Sequence, residues 1–153
     1  MGTKYKGKKN EIHALDAYIA LRRSSNAIGS RLLKHLTEQN LTPGQFGVLE
    51  ALFHLGPLSQ RDVGKKLLST KGNITLIIDN LEKRDLVKRV AYPEDRRLTT
   101  VQLTPPGKAL IHKIFPSHVR QVTKIMSTLT LKEMDELKRL CKKVGLSVNK
   151  NIT

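Results

Sequence analysis

A single cysteine, Cys141, is present among 153 residues, so no disulfide can form within the chain and a reducing compartment suits it. No apolar run approaches the roughly 20 residues of a membrane span. The opening MGTKYKGKKNEIHALDAYI is basic but lacks an apolar core, so a cytoplasmic location is expected and a secretory signal is not. There is no internal repeat and no low-complexity linker. The five histidines, at 13, 35, 54, 112 and 118, form no H-x-x-x-H or H-E-x-x-H pair, and Cys141 has no C-x-x-C partner. His112 and His118 are six apart, off the helical face repeat. With no G-x-S-x-G and no phosphate-cradling glycine loop, the expectation is a non-enzyme without metal or cofactor. Cys141 lies on the apolar side of its helix and is expected to be a buried small hydrophobe.

Acidic residues are also scarce: 13 against 28 lysines and arginines, a formal charge of +15 and a pI near 10.2. That balance favours nucleic acid or an anionic surface as partner. The excess is +5 over residues 1–40, −1 over 41–56, +4 over 57–104 and +7 over 105–153. Being spread along the chain, it supports non-specific attraction without locating a site.

What organises the chain is the stretch from Pro57 to Thr104. Ser59 and Asp62 make a capping pair, with Leu58 and Val63 placed as a hydrophobic staple. A short helix follows, and Ser69 or Thr70 caps a second. Its residues Ile74, Ile77, Ile78 and Leu81 follow the i, i+3, i+4, i+7 rule and should face the core. The opposite face carries Gly72, Leu76, Asn80 and Lys83, flanked by Lys71, Asn73 and Thr75. At the front of a recognition helix such side chains meet base edges: Asn suits adenine, Lys suits guanine, and Thr or Leu suits a thymine methyl. Residues 86–92 and 98–104 read as strands. The PEDRR between them reads as a turn whose arginines can enter a narrow minor groove, with Asp95 orienting Arg97. Two helices, two strands and a basic turn make a winged helix-turn-helix.

Four segments resemble the MarR family of bacterial transcriptional regulators: LTPGQFGVLEAL at 41–52, LSQRDVGKKL at 58–67, NITLIIDNLEKRDLV at 73–87 and PEDRRLTTVQLTPPG at 93–107. The wing and the L-T-x-x-G that follows, Leu103 to Gly107, are the most specific part. The resemblance implies a mainly α, winged helix-turn-helix fold with long N- and C-terminal dimerisation helices. It implies DNA contacts from Asp95, Arg96 and Arg97 in the wing; with the helix-turn-helix reading, the candidate DNA-binding residues are these and Ser59, Gln60, Arg61, Ser69, Thr70, Lys71, Gly72, Asn73, Thr75, Leu76 and Asn80. Family members commonly release DNA when a small anionic or phenolic aromatic binds where the dimerisation helices meet the winged lobe. Here Tyr18, Arg22, Arg23, Phe46 and Leu49 are the candidate effector residues. The chain departs from the family at Leu76, where a basic or small residue is common, at Asn80, often basic, and at Asp85, usually glycine. The operator sequence is therefore not implied.

The flanks complete the reading. Residues 1–10 form a basic arm and 11–147 the domain, with dimerisation helices at 11–39 and 105–145 and a DNA-binding lobe at 41–104. About 29 residues at 1.5 Å each make the first helix roughly 43 Å long, more than a small domain needs for itself. Thr42, Pro43 and Gln45 announce the next helix, with Phe46, Val48, Leu49, Leu52 and Phe53 on its core face. Pro116 should bend the helix that starts after Thr104. Thr130 and Glu133 form another capping box, and Gly145 is expected to end the last helix. A homodimer on double-stranded DNA would hide the apolar flanks and hold two recognition helices about 34 to 36 Å apart. The alternative from charge alone is a basic helical protein that coats DNA or RNA without sequence choice.

Overall fold

The computed structural model describes residues 3–91 and 99–149. Helix α1 spans Lys9–Thr37. It begins inside the segment read as a basic arm because the backbone N–H of Lys8 donates to Glu11 Oε2 at 2.9 Å, fixing the first turn there. It is helical across residues 24–26 and Gly29. Helix α2, Pro43–Leu55, has the expected capping box: the Gln45 N–H donates to Thr42 Oγ1, and the Thr42 N–H donates to Gln45 Oε1. Gly56, at φ 76°, ends it.

Strand β1 (Leu58–Ser59) leads into α3 (Gln60–Lys66) and α4 (Lys71–Lys83). Strands β2 (Val87–Ala91) and β3 (Thr99–Leu103) pair antiparallel, and the sheet order is β1-β3-β2. The described strands fall within the expected ranges, but β1 was not anticipated from the sequence. Leu58 pairs with Val101 and Ser59 with Thr100; two residues are too few to show a period of two, and both carried helix-start signals. Helix α5 (Pro105–Met126) runs through Pro116, and α6 (Leu131–Asn149) starts at the Thr130–Glu133 box.

The core is continuous from α2 to α5. Val48, Leu49, Val63, Ile78, Leu81 and Ile111 are wholly buried, with Ile74, Val87 and Val101 nearly so. The isoleucine stripe of α4 is therefore turned inward, Ile77 being half-buried against the same cluster. Three helices end alike, with Asn40, Leu68 and Asp85 in the left-handed region. In each case the next N–H reaches back five residues: Leu41 to Leu36, Ser69 to Gly64, Leu86 to Leu81. Asp85 thus takes the conformation that glycine would favour there.

Two expectations are corrected in α6. Gly145 does not end it; it lies inside the helix, against Leu68, whose Cδ1 would be 2.8 Å from a Cβ there. Cys141 is exposed, because among the described residues none of α6 is buried by the rest of the chain.

Rings gather where α1, α2 and α5 meet. His118 packs on Phe46 at 4.4 Å and faces His35 at 6.5 Å, while Phe53 contacts His112, His54 and Phe115. Burial pushes the His118 imidazole below the usual histidine value; Glu50 offsets part of this and His35 adds to it. As pH falls through about 6.5 the unfolded chain takes up the proton first, so stability is full above that pH and declines below it. Urea unfolding at about pH 7.5 and 5.5 should register the loss, and His118→Phe should shrink it by removing the titrating nitrogens. An undiminished loss in the variant would contradict this assignment.

Candidate nucleic-acid interface

The interface is built from caps outward. The Asp62 N–H donates to Ser59 Oγ at 3.1 Å, and the Ser59 hydroxyl donates to Asp62 Oδ2 at 2.6 Å, fixing the start of α3. Leu68 turns the chain, and Thr70 caps α4 by accepting from the Asn73 N–H at 3.4 Å. Behind α4 lies the apolar stripe. In front, Lys71, Gly72, Asn73 and Leu76 are exposed, Leu76 to 60%.

No acidic residue lies in the first turn of α4, and Lys71 occupies its first position. A cation there opposes the helix dipole, a cost of roughly 0.3 to 1 kcal/mol. The same arrangement leaves a positive helix end and a lysine facing outward, which suits an anion.

The predicted residues divide into two groups. Arg61, Thr70, Lys71, Gly72, Asn73 and Leu76 are exposed; Ser59, Gln60, Ser69, Thr75 and Asn80 are half-buried. Asn73 donates from Nδ2 to Ser69 Oγ at 2.8 Å, which holds its side chain at the helix entrance. Gln60 donates from Nε2 to Thr75 Oγ1 at 2.5 Å, and Thr75 Oγ1 donates to the Lys71 carbonyl at 2.9 Å, so this pair braces α3 against α4. Asp95, Arg96 and Arg97 lie outside the described residues.

Sequence reasoning missed Arg89. From β2 its Nη2 donates to Asp79 Oδ1 at 2.6 Å and to Gln60 Oε1 at 3.3 Å, and its Nη1 donates to Glu82 Oε2 at 2.5 Å. Burial lowers its pKa, but the bonds and charges of Asp79 and Glu82 outweigh this and raise it overall. One sequence signal existed: Asp79 and Glu82 stand three apart on one flank of α4.

The candidate effector residues are not brought together. Phe46 and Leu49 belong to the core, whereas Tyr18 and Arg22 line a groove between α1 and α6 beside Leu21, Cys141 and Val144. A separate cleft of about 610 Å³ between α1 and α5 is lined by Arg31, Lys34, His35, Glu38, Gln121, Lys124 and Ile125. Among the described residues no group of three or more His, Cys, Asp or Glu is placed to hold a metal, and no helix is long and apolar enough to cross a membrane.

A helix-turn-helix with an outward cationic helix entrance, backed by a three-stranded sheet, defines a winged helix-turn-helix protein of the DNA-binding kind. Residues 41–99 match the MarR family. The chain is 36% identical over 134 residues, 88% of its length and 92% of the relative, to the HTH-type transcriptional regulator MhqR of Bacillus subtilis. A mutant E. coli MarR complexed with operator DNA superposes with a TM-score of 0.70 at 25% identity, covering 91% of this chain and 99% of that one. Bordetella bronchiseptica BpsR, whose DNA binding is regulated by 6-hydroxynicotinic acid, superposes with a TM-score of 0.73 at 29% identity, covering 82% and 89%. The chain belongs to the MarR family of transcriptional regulators.

Proposed function

We propose that the chain is a homodimeric repressor that binds a pseudo-palindromic operator and releases it when a small anionic or phenolic aromatic binds. The observation that supports the DNA half is the acid-free, outward N-terminal face of α4, where Lys71, Gly72, Asn73 and Leu76 are exposed and free to meet a duplex. Arg61 and Thr70 take neighbouring phosphates, and the Gln60–Thr75 brace holds the face rigid. Asp95, Arg96 and Arg97 serve the minor groove, as the family resemblance implies.

Dimerisation is supported by the uncovered apolar side of α6, where Leu137, Leu140, Val144 and Val148 are each at least 40% exposed, and by Leu15, Tyr18 and Leu21 on α1. A second copy hides this surface without a further cost for ordering the backbone, because both helices are already formed. Sedimentation at micromolar concentration should give a dimer; a monomer would count against it. The effector half is supported by BpsR's regulation by 6-hydroxynicotinic acid and by the α1–α5 cleft, where Arg31, Lys34 and Lys124 outnumber Glu38. Such a regulator works in the cytoplasm, where its DNA is.

Selection of bound fragments from the source genome tests the reading. Recovery of a shared inverted repeat, displaced from the protein by aromatic acids or phenols, is the expected result. Affinity that is uniform over sequences would favour a DNA-coating role.

A further inference from the structure

The guanidinium of Arg89 joins three elements of the winged lobe. Strand β2 is a sheet edge, and at Arg89 its N–H points away from β3, donating to Glu82 Oε1 at 2.9 Å. One carboxylate on α4 thus accepts from both the backbone and the side chain of the same wing residue. A second carboxylate, Asp79, lies one helical turn earlier and takes another guanidinium nitrogen, which also reaches Gln60 on α3. Gln60 passes the restraint back to Thr75 on α4. The wing's base, the recognition helix and the helix before it therefore meet at one planar group.

We propose that Arg89 is a positioning residue that sets the angle between the recognition helix and the wing, and that selective DNA binding depends on it without any contact of its own to DNA. This rests on the operator-binding reading above. Its three acceptors turn the guanidinium inward, and the side chain is only 27% exposed. Arginine is required because a single flat group must serve acceptors on two helices; lysine offers one point charge on a flexible stem. A rigid clamp matters because two helices and a wing must match groove positions together, and a small tilt misplaces every base contact at once while leaving non-specific phosphate attraction in place.

The proposal differs in sign from electrostatics. Asp79→Asn removes a negative charge from a helix that approaches DNA, so charge alone predicts tighter binding. The clamp predicts weaker binding. Likewise Arg89→Lys keeps the charge and would be nearly silent if Arg89 merely met a phosphate.

The experiment measures binding of the full chain and its variants, by fluorescence anisotropy over a salt series, to a fragment selected by the unmodified protein and to a scrambled fragment of equal length. Asp79→Asn and Arg89→Lys are each expected to weaken binding to the selected fragment about tenfold, and the double variant to be no worse than the weaker single, as for residues in one network. Binding to the scrambled fragment should stay within about threefold and the salt slope should not change. Thermal unfolding establishes that each variant is folded at the assay temperature; should Asp79→Asn fail this, Glu82→Gln takes its place with the same expectation. Unchanged or tighter selective binding, or equal losses on both fragments, would overturn the proposal. If the unmodified protein prefers no fragment, the operator reading fails instead.

Discussion

Replacing Gly107 with alanine is expected to cost about 3 kcal/mol of stability, since overpacking a filled site typically costs 1 to 3 kcal/mol and backbone obstruction lies at the upper end. For a chain of this size that lowers the unfolding midpoint by roughly 6 to 12 °C. A Cβ on Gly107 would fall 1.9 Å from the Leu86 carbonyl oxygen and 2.9 Å from its carbonyl carbon. Neither neighbour can yield. Leu86 accepts from the Thr104 N–H at 3.2 Å, and the Thr104 hydroxyl donates to the Asp85 carbonyl at 2.5 Å. Thr104 also caps α5 by accepting from the Gly107 N–H at 3.1 Å. The start of α5 and the turn after α4 are thus joined backbone to backbone. Thermal unfolding of Gly107→Ala within 2 °C of the unmodified chain would mean that this junction is loose. The same contact explains why threonine and glycine stand three apart in the L-T-x-x-G that follows the wing.

Lys71→Glu should separate folding from binding. Glutamate at the first position of α4 removes the cost of the lysine and adds a favourable interaction with the helix dipole, so the variant should be more stable by about 0.6 to 2 kcal/mol. Selective DNA binding should fall by at least about tenfold at roughly 0.1 M salt, and the salt slope should shrink by about one for each half-site contacted. Gain of stability with loss of binding is a pairing that damage to the fold cannot produce. Undiminished affinity in a salt titration would remove the entrance of α4 from the interface.

Much of this architecture was legible because its signals are local. Thr42 with Gln45 and Thr130 with Glu133 are capping boxes four residues long, and both form. The stripe of Ile74, Ile78 and Leu81 is a periodicity, and it is buried. What escaped depends on which distant surface arrives opposite. Periodicity says that Cys141 shares an apolar face, but not that the chain leaves this face uncovered. Gly145 carries a helix-stop signal, yet the helix runs through it, beside Leu68 from nearly eighty residues earlier. Phe46 and Leu49 read both as core and as effector-facing, and their near-complete burial places them in the core, a fact that depends on α5 and the sheet closing over α2. Arg89 and Gln60 look like solvated polar residues until strand and helices are brought together. Long-range polar pairing has no period, so a single sequence does not reveal it.

The central claim is that the face of α4 bearing Leu76 meets the duplex. A photo-crosslinking residue, benzoylphenylalanine, placed at position 76 tests it most directly, because Leu76 is exposed and none of the core depends on it. With a selected operator fragment, illumination should yield a covalent protein–DNA adduct at a base within each half-site, and the same residue at position 137 on α6 should yield none. Adducts from position 137 alone, with DNA bound and position 76 silent, would contradict the account.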